Sequence, residues 1–195
     1  MILLNPPPFI VEVSDEYMDI IQANKFTLAY HLNGTNLIVV RKSDYDKLQT
    51  DSQKANFYFA HEITHLAAQT IQRSEMPWWL NEASAEYVTR QAIKSTIPQT
   101  NLPYYSQYTR IAYYLAEVVG KDVFIEAYFT GDLSKIRGKL IGLEGIGTFD
   151  KFMNDKSFKN KFQLIIDLCK KNNFPVENFE KEFLLWSKTK EDYVK

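Results

Sequence analysis

The segment His61-Glu62-Ile63-Thr64-His65 decides the reading of this chain. It spells H-E-x-x-H within a stretch of helical pattern that runs from a cap at Asp51 or Ser52 to about Arg73. Two histidines four apart on a helix share one face, so both imidazoles can reach a single metal ion. The glutamate between them is rotated aside, near enough to act on a metal-held water without being a ligand itself. The match uses two of only three histidines in 195 residues. Composition alone would produce it about three times in a thousand, so the plainer reading of capping or surface histidines is the weaker one.

Along the same helix, Phe59, Ile63, Leu66 and Thr70, with Ala60, Ala67 and Ile71, form an apolar stripe at 3.6-residue spacing. Tyr58, His61 and His65 fall on another face and are expected to look out from the core into a cleft. Upstream, Phe9–Val13 has strand composition after a triple proline that no helix could contain. Ser14 offers the N-cap of a helix to about Asn24. Lys25–Leu32 and Thr35–Val40 flank Asn33-Gly34, a two-residue hairpin signal, and Ser43 or Asp44 is expected to cap a short helix. Downstream, Pro77 suits the first turn of a helix to about Ser95. A third helix, Tyr104 to Val119, should end on Gly120 as a left-handed cap. The remainder reads as short helices and loops around Phe149, Phe152, Phe179, Phe183 and Trp186. The expectation is one α+β domain over residues 1–195. It has a small, mainly antiparallel N-terminal sheet with helices (about 1–75) and a largely helical part (about 76–195), the metal-binding helices pairing across the boundary.

Composition removes several alternatives. With 45% hydrophobic and 14% aromatic residues the chain can bury a core. A net charge of −1 argues against nucleic-acid partners, and the basic run from Lys156 to Lys161 reads as a solvated helix face. The single Cys169 excludes an internal disulfide and sits in an apolar run, as a buried small hydrophobe would. No run approaches the ~18 apolar residues of a membrane span, and the start lacks a basic leader region. A cytoplasmic protein without a membrane partner is expected, although a trimmed exported form would read the same.

A catalytic zinc keeps three protein ligands and one water. The third is sought in Pro77-Trp78-Trp79-Leu80-Asn81-Glu82-Ala83-Ser84-Ala85-Glu86-Tyr87. Glu82 follows His65 by enough chain for the rest of one helix, a turn and an antiparallel return. Glu86 lies one turn further on the same face, where a carboxylate could orient His61 through its other ring nitrogen. The alternative for both is a solvated pair bonded to Arg90.

With these residues in view, the chain resembles the gluzincin metallopeptidases of the thermolysin-like superfamily, and within them small bacterial proteins whose second motif reads W-L-x-E-G-x-A-E-Y. The likeness covers roughly residues 51–120 and is carried by His61-Glu62-x-x-His65 and Trp79-Leu80-Asn81-Glu82-x-x-Ala85-Glu86-Tyr87. It implies one zinc ion on His61, His65 and Glu82, Glu62 as general base, and Glu86 behind the ligands. Ala83 departs from the glycine usual in the small relatives. Zinc would lower the pKa of its water from 15.7 towards ~7 and polarise a scissile carbonyl. Glu62 would move the proton to the leaving amine. The oxyanion needs a further donor, for which the family's tyrosine-led helix suggests Tyr105, then Tyr108. His31, the spare histidine, reads better as a half-exposed strand residue.

The expected substrate is a peptide or protein. Nothing between Ile10 and Ala60 matches the G-x-M-E-N segment of the superfamily's aminopeptidases, so an endopeptidase is preferred. Either strand of the hairpin could pair with extended substrate. Two rivals stay open, namely a regulatory intracellular protease with one protein substrate and a catalytically silent zinc-fold binding module.

Overall fold

The computed structural model describes residues 7–21, 29–32, 35–50, 52–69, 76–93 and 105–176. The first strand, β1 (Phe9–Val13), leads into α1 (Asp15–Ile21), whose first turn is capped by Ser14 Oγ accepting from Tyr17 N–H at 3.2 Å. Strands β2 (Ala29–His31) and β3 (Leu37–Arg41) pair antiparallel in the register Ala29↔Val40 to His31↔Ile38. The Asn33-Gly34 pair itself lies outside the described residues. β1 joins the opposite side of β3 in parallel, Phe9↔Leu37 to Val13↔Arg41, giving the order β1-β3-β2. The sheet is therefore mixed rather than mainly antiparallel. Strand β2 begins beside Val40, at the end of the sheet where β1 finishes, so β2 runs against β1 and the returning β3 runs with it.

Central β3 is buried on both faces, as its unbroken Leu37-Ile38-Val39-Val40 run requires. Ile38 and Val40, with Ala29, pack against Tyr58, Phe59 and Ile63 of the helix α3 (Ser52–Gln69). On the α1 side, Arg41 donates to Asp19 Oδ1 at 2.7 Å, while the intervening α2 (Lys42–Thr50) starts one residue before the expected cap. The α3 stripe thus lies on the sheet at Phe59 and Ile63; Thr70 and Ile71 are outside the described residues.

The larger core is helical. Helix α4 (Trp78–Ile93) begins after Pro77, whose carbonyl accepts from Leu80 and Asn81. Its Trp79, Leu80, Ala83 and Tyr87 pack into α5 (Tyr105–Val119), α6 (Lys121–Thr130), α7 (Ser134–Glu144), α8 (Thr148–Asn154) and α9 (Phe158–Lys171). Phe149 and Phe152 anchor this core as expected, and Cys169 is fully buried; Phe179, Phe183 and Trp186 lie outside the described residues. The description agrees with the general α+β class, and among the described residues no helix is long and apolar enough to cross a membrane.

Lys156 and Lys159 are exposed, as the solvated-face reading requires, but Lys161 departs from that reading: it is 4% exposed. Its ammonium donates to the carbonyls of Phe152 and Met153, the last turn of α8, and lies 4.6 Å from the Trp79 ring centroid. A cation at a helix C-terminus meets carbonyls that have no partner in the helix. Burial still pulls its pKa down to about 8.

Gly120 ends α5 with φ 99° and ψ 130°, not the left-handed helical cap expected, and joins α5 directly to α6. An added Cβ would meet only Val123 Cγ2 at 3.9 Å, an ordinary contact. Gly120→Ala should therefore destabilise through the backbone alone, by about 1–3 kcal/mol. Urea unfolding checks this, and a variant as stable as the parent would contradict it.

Candidate metal centre

The histidines lie where helices cross. Their face of α3 is turned into the crossing with α4 and α6, leaving the His61 and His65 side chains 12% and 9% exposed. The helices are tied near the site by Thr64 Oγ1 and Thr89 Oγ1 at 2.9 Å, and Thr64 also donates to Ala60 O. On α4, Glu82, Glu86 and Arg90 recur at four-residue spacing and so share the face towards α3.

His61 Nε2 and His65 Nε2 are 3.1 Å apart, and each lies 3.5 Å from Glu82 Oε2. These three atoms form a nearly equilateral triangle, and a point about 2 Å from all of them exists at its centre, matching zinc–nitrogen and zinc–oxygen bond lengths. His61, His65 and Glu82 are a group able to hold a metal ion. The residues present fit that role on geometry and on donor type.

The far side of each ring has a neighbour. His61 Nδ1 is 3.5 Å from Glu86 Oε2, an ion-pair distance without hydrogen-bond geometry, while Glu86 Oε1 accepts from Arg90 Nε and Nη2 at 2.8 and 2.5 Å. Glu86 thus serves His61 and Arg90 together. His65 Nδ1 lies 3.4 Å from the hydroxyl of Tyr128, a fully buried residue of α6. With Nε2 turned to the triangle, Nδ1 carries the proton and donates to that oxygen. No spacing rule could single out Tyr128, 63 residues from its partner.

Glu62 reaches the sheet. Its Oε2 accepts from the backbone N–H of His31 at 3.0 Å. His31 is itself 2% exposed, not half-exposed, and its Nε2–H donates to Thr35 O at 2.9 Å, so the ring faces its own turn. Tyr105 opens α5, but its side chain lies outside the described residues. Tyr108 packs between Trp79 and Phe158, with ring centroids 5.6 Å from each, as a core residue does. Ala83 is fully buried in the main core, where its methyl adds to packing.

The charges sort themselves by surroundings. Burial disfavours a charged His61, but the carboxylates of Glu82 and Glu86 outweigh it and raise its pKa to about 10. Burial likewise pushes Glu82 up, yet its contacts with His61 and His65 hold it well below the usual carboxylate range. For Glu62 burial wins over the nearby imidazoles, and its pKa is raised. Burial also keeps the Tyr128 phenol neutral, its pKa raised.

No protein-family model, curated protein or solved structure matches this chain.

In the metal-free chain His61 retains its proton in the fold from 6.5, its ordinary value, up to about 10. The folded state binds more protons in that window, so stability falls as pH rises through it. The lowered Glu82 adds stability above its ordinary 4.5 that is lost as pH falls below it. Urea unfolding of metal-free protein should therefore weaken from pH 7 to 10, and Glu82→Gln should flatten that slope; an unchanged slope would refute the pairing.

Proposed function

We propose that this chain is a zinc-dependent peptidase of gluzincin type, acting within peptide chains. The observation that supports this most directly is the triangle of His61 Nε2, His65 Nε2 and Glu82 Oε2, two of whose sides are 3.5 Å. Two imidazoles and one carboxylate are a donor set suited to catalytic zinc, which keeps a further position open. When bound there, zinc supplies an acidified water and a Lewis acid for the scissile carbonyl.

The chain's own residues supply the rest. Glu86 lies behind the His61 ring and Tyr128 behind the His65 ring, neighbours that favour a proton on Nδ1 and leave each Nε2 turned to the triangle. Glu62 does not belong to the triangle and its raised proton affinity suits a general base. It takes a proton from the attacking water at a carboxylate oxygen and returns it to the departing amine. Tyr105 remains the assigned oxyanion donor by resemblance. The endopeptidase preference rests on the missing aminopeptidase segment.

A random peptide library incubated with and without chelator tests the activity. Glu62→Gln is expected to keep one zinc per chain and to lose about 10²- to 10⁴-fold in kcat. A variant that keeps full biological function while the wild type cleaves nothing would favour the binding-module reading. Tyr128→Phe should weaken zinc binding by about 10- to 100-fold in competition with a chromophoric chelator. Unchanged zinc affinity would remove the phenol from the site.

A further inference from the structure

We propose that the peptide N–H of His31 is a positioning group for Glu62, fixing one carboxylate oxygen so that the other is the one that exchanges the proton. This role rests on the peptidase reading above. It begins with the sheet. Leu32 N–H bonds inward to Leu37 O at 3.0 Å, and antiparallel pairs alternate, so Tyr30 also bonds towards β3 while Ala29 and His31 turn their backbone groups to the other side. Among the described strands β2 is at the sheet's edge, and α3 is the element beside it.

At that edge the His31 N–H meets Glu62 Oε2 at 3.0 Å. Oε1 has no hydrogen-bond partner among the described residues. A backbone donor has no side-chain rotamers to freeze, so it defines the carboxylate's rotation more tightly than a mobile side chain would. One oxygen is thereby spoken for and the other left as the acceptor. The His31 imidazole takes no part, because its Nε2–H is given to Thr35 O. The strand therefore sets the base, while α3 sets the ligands, and the two are aligned by one bond.

Two measurements test this. In metal-free protein, hydrogen exchange of the His31 amide should speed up about tenfold in Glu62→Ala, with Leu32 unchanged because its bond lies on the β3 side. Equal His31 rates in both proteins would overturn the bond. The kinetic comparison sets His31→Ala, which keeps the peptide N–H and loses the ring, against His31→Pro, which loses both. Proline is tolerated in strands where the N–H points off the edge. Relative to His31→Ala, His31→Pro should lower kcat about 10- to 100-fold, with KM and zinc affinity within about twofold. Equal kcat values would overturn the positioning role. If His31→Pro does not fold, the exchange arm still decides. A wild-type chain that binds zinc but hydrolyses nothing overturns the functional reading instead, leaving the exchange result to report on the bond alone.

Discussion

Two imidazole nitrogens 3.1 Å apart cannot both present bare lone pairs to each other, so one carries a proton or the two share a cation. That constraint governs the crossing of α3 and α4. Glu82 brings an oxygen to 3.5 Å from both nitrogens, and in the metal-free state a proton on His61 answers it. The bonds around the crossing then have a common purpose. Thr64 and Thr89 fix the spacing of the helices, and Arg90 occupies the Glu86 oxygen that His61 does not face. Burial of so many polar groups is tolerable only because nearly every one has an opposite neighbour.

Much of this was legible because it is local. Four-residue spacing puts His61 over His65 and Glu82 over Glu86 whatever the tertiary structure, and Pro77 and Ser14 mark helix starts by their own chemistry. The strand Phe9–Val13 was bounded correctly for the same reason. What failed depended on partners. The parallel pairing of β1 with β3 reflects the end of the sheet at which β2 begins, which no local motif marks. Lys161 reads as solvent-facing in a basic run, yet the end of α8 and the ring of Trp79 draw it inside.

Two neighbours of the site were beyond any motif. Tyr128 reaches His65 from a helix with no sequence relation to the candidate ligands, and choosing among tyrosines by position on α5 could not find it. The donor on Glu62 is a backbone N–H, which every residue but proline carries, so no residue type announces it. His31 attracts notice through its imidazole, whereas its contribution comes from its place in the β2 register.

The carboxylates Glu62, Glu82 and Glu86 set the charge of the site. Under the proposed zinc reading, three carboxylates against the guanidinium of Arg90 would leave two negative charges beside metal-bound imidazoles, which a divalent cation would balance. Glu62 and Glu82 are chemically identical and one helix crossing apart, yet their surroundings drive them in opposite directions. Contacts with two imidazoles hold Glu82 well below the usual carboxylate range, while burial raises the pKa of Glu62. Under the proposed peptidase reading, that divergence would divide ligand from base by environment. In this fold the division follows from geometry: Glu82 faces two ring nitrogens across the helix crossing, whereas Glu62 is turned to the strand edge and its single amide.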